Sequence, residues 1–89
     1  MAFSEFGRRV KENTSRGTDH GTAGPAFVIG DPIFGGQYGK VPSLTELKQG
    51  NLVYTTDYRR IYATAIQGWM GYEDPASILR GEFDPLPIV

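Results

Sequence analysis

Eighty-nine residues make one small domain at most, and a chain of that size hides only about 60–65% of the surface its unfolded form exposes. There is no cysteine, so no disulfide can compensate, and the net charge of −1 comes from nine basic and ten acidic residues interspersed along the chain. That balance argues against the one-sided basic face of a nucleic-acid binder, and no apolar run approaches the roughly 20 residues of a membrane-spanning helix.

Twelve glycines and six prolines predict a loop-rich chain. No signal-peptide pattern follows Met1, and Phe3 and Phe6 flank Ser4-Glu5 in a segment that reads as the end of a strand. Arg8 to Arg16 is polar and carries the only basic cluster, Arg8, Arg9, Lys11 and Arg16, diluted by Glu5 and Glu12. It reads as a solvated surface loop with Asn13-Thr14-Ser15 and Gly17 as turn formers.

Pro25-Ala26-Phe27-Val28-Ile29-Gly30 is a short apolar run bounded by glycines, which predicts a strand buried on both faces of an α/β sheet. Asp31 to Pro42 is loop, with a hairpin around Gly35-Gly36 if Pro32-Ile33-Phe34 pairs with Gln37-Tyr38. Ser43 with Glu46 three residues on makes a capping-box pattern for a brief helical turn ended by Gly50, and Leu52-Val53-Tyr54-Thr55 reads as a second short strand.

The strongest periodicity predicts a helix from about Tyr58 to Met70, capped by Thr56 or Asp57 and ended by Gly71. Tyr58, Ile61, Tyr62, Ala65, Ile66 and Trp69 share one face, and Arg59, Arg60 and Gln67 fall on the other. The aromatic stripe is either core packing, the more ordinary use of such a pattern, or a ligand groove. Asp74-Pro75 opens a helical turn through Leu79, and Pro85 to Val89 forms an apolar tail that lies against the core.

Chemistry concentrates in Gly17-Thr18-Asp19-His20-Gly21-Thr22-Ala23-Gly24, which sets a carboxylate beside the only histidine. Zn²⁺ and neighbouring divalent ions accept both donors, and the flanking glycines let the backbone turn so that both face one ion. Zinc takes three protein ligands in an open catalytic site, so two adjacent donors need help from elsewhere. The alternative is an ordinary turn in which Asp19 bonds its own backbone, His20 is exposed and Gly21 takes a positive φ. The residues alone leave both readings open. A bound ion would also add folding energy to a chain without a disulfide.

Phe3-Ser4-Glu5-Phe6-Gly7-Arg8, a polar loop with Asn13, and Gly17-Thr18-Asp19-His20-Gly21-Thr22-Ala23 resemble the C-terminal part of the DUF1501 family. That family is bacterial, sulfatase-like and placed in the alkaline phosphatase superfamily. The resemblance continues through Phe27-Val28-Ile29-Gly30, Gly35-Gly36, Tyr38-Gly39, Pro42-Ser43-Leu44, Thr55-Thr56-Asp57-Tyr58-Arg59 and Tyr62-Ala63 to Phe83 and Pro85-Leu86-Pro87, essentially the whole chain.

The resemblance implies an α/β class, the C-terminal portion of an alkaline-phosphatase-like sheet-and-helix fold, with residues 1–89 a single fragment of a larger domain and an upstream part as its partner. It implies a divalent metal (Zn, Mn or Ca) held by Asp19 and His20 with Glu5 as third ligand, an anionic ester substrate met by Arg8, and a periplasmic or exported location. Arg8 reads equally as a surface arginine. Family members look several times longer and carry the first metal ligands and any nucleophile upstream. No nucleophile with a partnered base is present here, so the isolated chain is expected to be inactive as a hydrolase. The competing expectation is a small non-catalytic interaction module that uses the aromatic helix face of Tyr58, Tyr62 and Trp69.

Overall fold

Short antiparallel ribbons and one helical hairpin make up the chain, whose computed structural model describes all 89 residues. The architecture is mixed α/β and loop-rich, and its residues gather into two units, Met1–Ile29 with Lys40–Thr55 and Gly30–Gly39 with Thr56–Val89.

The first unit holds three two-stranded ribbons. Strand β1 (Ala2–Phe3) pairs with β4 (Ala26–Phe27), β2 (Gly7–Glu12) with β3 (Thr18–Gly21), and β5 (Leu47–Lys48) with β6 (Asn51–Leu52), all antiparallel. The polar stretch expected as a surface loop therefore folds as β2 and the turn after it. Asn13 organises that turn: its Oδ1 accepts from Ser15 N at 3.0 Å and Gly17 N at 2.9 Å, and its own N–H donates to Gly17 O at 2.8 Å. This is the competition that asparagine side chains offer the backbone at turns.

The β5–β6 hairpin has a two-residue loop, Gln49-Gly50, with φ of 54° and 80°. Positive φ at both central positions is the type I′ arrangement that matches the twist of paired strands. Ser43 behaves as half a capping box, its Oγ accepting from Thr45 N and Glu46 N at 3.1 and 3.0 Å. No helical turn follows, because β5 starts at Leu47.

Two further expectations are corrected in this unit. The apolar run from Pro25 contributes only two strand residues, and Phe27 and Ile29 are 61% and 89% exposed, so it is not a strand buried on both faces. The strand expected over Leu52–Thr55 is instead Asn51–Leu52, with Val53 and Tyr54 exposed.

Polar clips hold this unit more than apolar burial does, since Ala23 is its single buried apolar residue. Arg9 donates to Gln49 O at 2.6 Å and Gly50 O at 3.3 Å, and Thr22 Oγ1 donates to Leu52 O at 2.6 Å, which fastens the β5–β6 hairpin to β2 and β3. Gly7 is in backbone contact with Ala23, and a Cβ there would overlap the Ala23 carbonyl, so only glycine fits.

In the second unit, helix α1 (Tyr58–Ala63) continues directly into a π-helical turn, Thr64–Trp69, so the predicted helix forms within one residue of its expected bounds but changes pitch partway. Asp57 is the N-cap, its Oδ1 accepting from Arg59 N at 2.9 Å. Gly71 ends the helix with φ 71°, and Tyr72 N donates to Ile66 O at 3.0 Å, a six-residue closure of Schellman type. Helix α2 (Pro75–Leu79) follows with proline in its first turn and lies against α1.

Arg59 and Arg60 are tethered. Arg59 makes a two-pronged ion pair with Asp57 at 2.7 and 2.9 Å and lies 4.4 Å from the Phe83 ring centroid, while Arg60 donates to Asp84 O at 2.9 Å. Ala63, Thr64 and Ile88 are buried, and Phe34 N donates to Ile88 O at 2.7 Å, so the C-terminal tail packs as its composition predicts. Pro32–Phe34 and Gln37–Tyr38 do not pair as strands; the Tyr38 hydroxyl donates to Phe34 O at 2.6 Å instead. No helix is long and apolar enough to cross a membrane.

Candidate functional site

The two motifs that carry chemistry in the sequence, Ser4–Arg8 and Gly17–Ala23, are brought together in the β2–β3 ribbon. Gly7 faces Gly21 and Arg8 faces His20 across it. From Arg8 to Glu12 the chain takes four steps along β2 against two along β3 from His20 to Thr18, so β2 bulges outward opposite Asp19. Gly21 allows the tight crossing, since a Cβ there would come within 2.8 Å of Arg8's carbonyl carbon.

Asp19 and His20 are consecutive in an extended strand, not a sharp turn, and consecutive strand side chains leave opposite faces. Their partners differ accordingly. Asp19 Oδ1 accepts from Asn13 Nδ2 at 3.1 Å, which ties its carboxylate to the turn. The His20 ring stacks on Phe6, with centroids 3.5 Å apart and planes 14° from parallel. Both residues are exposed, and neither ring nitrogen of His20 makes a hydrogen bond.

Arg8 is exposed and donates through Nη1 to Thr18 O at 2.7 Å, and its guanidinium carbon lies 5.2 Å from the Phe6 centroid. Its remaining N–H groups stay open to solvent. Glu5 lies in the bend between β1 and β2 and is exposed.

The donor types suit a borderline divalent ion: an accessible imidazole at His20, a carboxylate at Asp19 with one oxygen free of protein partners, and the exposed Glu5 carboxylate in the bend before β2. No three of the chain's acidic and histidine side chains gather into a group that could hold a metal ion, so these residues supply part of a coordination shell. At the β1–β4 ribbon, an open cleft of about 290 Å³ is lined by Ala2, Phe3, Ser4, Pro25 and Phe27, and it is almost wholly apolar.

Phe6 and Asn13 contact the candidate residues His20 and Asp19, a part the sequence pattern did not assign to them. Asn13 was legible as a turn former, but its grip on Asp19 depends on where the ribbon folds back. Nothing in the sequence pattern announces that Phe6 meets His20.

Compared with family models, curated proteins and solved structures, the chain matches none.

Proposed function

We propose that this chain contributes His20 and Asp19 to the metal site of a sulfatase- or phosphatase-like hydrolase, as the C-terminal segment of a larger alkaline-phosphatase-like domain. The observation that supports this reading is the pairing of the two motifs: Arg8 of the first stands directly across the ribbon from His20 of the second. Backbone pairing alone sets Arg8, the proposed anion contact, beside His20, the proposed ligand.

In this reading His20 offers a ring nitrogen and Asp19 its free oxygen, with Glu5 as a further carboxylate. Because Asp19 and His20 leave opposite faces of β3, joint ligation of one ion requires the backbone between them, ψ of Asp19 and φ of His20, to leave the extended conformation, and the remaining ligands come from other segments. The ion would polarise an ester oxygen and activate a bound water. Arg8 keeps N–H donors available for a sulfate or phosphate oxygen while Thr18 O fixes its position. The exposed apolar side chains, among them Phe3, Phe27 and Ile29, agree with a domain that has more chain to cover them.

Calorimetric titration with Zn²⁺ and with Mn²⁺ tests the proposal. Saturable binding that is lost in His20→Ala and weakened in Asp19→Ala supports it. Binding indifferent to both substitutions, or none at all, rejects these residues as ligands.

A second reading, a non-catalytic interaction module, is favoured by Trp69 and Met70, which are 64% and 71% exposed at the end of the helix. It predicts that the chain's association behaviour is unchanged in His20→Ala and altered in Trp69→Ser.

A further inference from the structure

A histidine that ligates a metal ordinarily has its ring orientation set by its other nitrogen, which donates to a carboxylate or a backbone carbonyl. His20 has no such bond. An exposed imidazole without one would be expected to sample several rotamers, and ordering it would cost entropy at the moment of binding. What His20 has instead is a parallel aromatic contact. The Phe6 ring lies 3.5 Å away, centroid to centroid, at 14°.

Phe6 is the anchored member of the pair. It is half-buried where His20 is exposed, and it is followed directly by Gly7, whose backbone is locked against Ala23. Arg8 holds it from another direction: the guanidinium lies 5.2 Å from the Phe6 centroid and is itself fixed by its 2.7 Å bond to Thr18 O. Thr18 is two residues from His20 on the same strand. Thr18, Arg8, Phe6 and His20 thus close a ring of contacts across the ribbon, in which the imidazole is the only member facing solvent without a polar tie.

We propose that Phe6 is the positioning residue of His20, its ring holding the imidazole in one orientation for metal binding in place of the usual hydrogen bond. This rests on the reading of His20 as a ligand. Because a stack engages the ring face and neither nitrogen, it leaves both nitrogens available to an ion.

The test uses the full chain and two readouts. His20 is the only histidine, so its two carbon-bound ring protons are identifiable by NMR without further assignment. In the unsubstituted protein they should lie upfield of their random-coil positions and show cross-relaxation to the Phe6 ring. Phe6→Leu should return them to random-coil positions, and Phe6→Tyr should keep them upfield. In zinc titrations, Phe6→Leu should bind about threefold to tenfold more weakly, as expected for loss of one aromatic contact, and Phe6→Tyr should match the unsubstituted chain.

Random-coil ring shifts in the unsubstituted protein overturn the proposal, and this arm needs no variant to fold. Unchanged zinc affinity in a folded Phe6→Leu overturns it too, while leaving His20 as a ligand. Upfield ring protons with no zinc binding by the unsubstituted chain would reject the metal reading and, with it, the positioning role toward an ion, while retaining the stack itself.

Discussion

Thr64 Oγ1 accepts a hydrogen bond from Leu86 N at 2.7 Å and so ties the start of the π-helical turn to the C-terminal tail. The same hydroxyl donates to Arg60 O at 2.7 Å, and Thr64 is the one buried polar residue of the chain. Thr64→Val keeps the shape and leaves the Leu86 N–H without a partner, which should lower stability by about 1–3 kcal/mol. Thr64→Ser should retain most of it. Denaturant unfolding measures both, and equal midpoints for Val and Ser would show that the hydroxyl does not matter.

The Asp57–Arg59 pair makes the second unit acid-sensitive. The side-chain hydrogen bond from Arg59 lowers the Asp57 carboxyl from 3.8 to about 2, against desolvation that pushes the other way. A carboxyl more acidic in the folded than in the unfolded chain adds stability above the unfolded value, and that stability disappears as pH falls toward the folded one. Stability should therefore drop between pH 3.8 and about 2, the two values that bracket the shift. Asp57→Asn should flatten that limb when melting temperature is followed against pH; an acid limb of unchanged slope would remove Asp57 as its source.

The β5–β6 turn contains one well-suited residue and one poorly suited one. Glutamine at φ 54° is strained, and asparagine tolerates that region better, so Gln49→Asn should stabilise the chain by about 0.5 kcal/mol. Gly50→Ala should destabilise it by about 1–2 kcal/mol, because φ is 80° and the added Cβ would overlap the Arg9 guanidinium. Thermal unfolding of the two variants should move in opposite directions.

Apolar exposure predicts self-association. Ile29 is 89% exposed and Phe27 61%, within three residues of each other. Sedimentation velocity should show a coefficient that rises with protein concentration, and Ile29→Ser should reduce the rise without lowering stability, since that side chain packs on almost nothing. A sharp monomer across the whole concentration range would contradict this.

What the sequence revealed follows from how each element is stabilised. The helix from Tyr58 was legible because an amphipathic period, an Asp57 cap and a Gly71 stop all agree, and the proline-started turn from Pro75 carries its own signal. The β2–β3 ribbon was hidden because four of the six residues of Gly7–Glu12 are charged and most of its length lies exposed, so it lacks the alternation by which a half-buried strand announces itself. Pro25–Gly30 misled in the opposite sense: apolarity signals burial, and the chain buries only Ala23, Ala63 and Ile88 among its apolar residues. Of the candidate site, Asp19, His20 and Arg8 were singled out by residue type and motif. Their division into a turn-anchored carboxylate and a ring-stacked imidazole was not, because it depends on the strand's alternation and on Asn13 and Phe6 arriving from across the ribbon.

The pitch change at Thr64 has a bearing on the chain's length. Met70 N donates to Ala65 O at 2.9 Å, five residues back where an α-helix reaches four, so each turn there accommodates one residue more than regular winding needs. Removing a single residue between Thr64 and Trp69, Gln67 for example, would let the backbone rewind to four-residue closure without pulling on Asp57 or on the Gly71 stop. The segment is thus a place where related chains can differ by one residue and keep the same helix ends, and Trp69 is the side chain whose bearing such an indel would rotate.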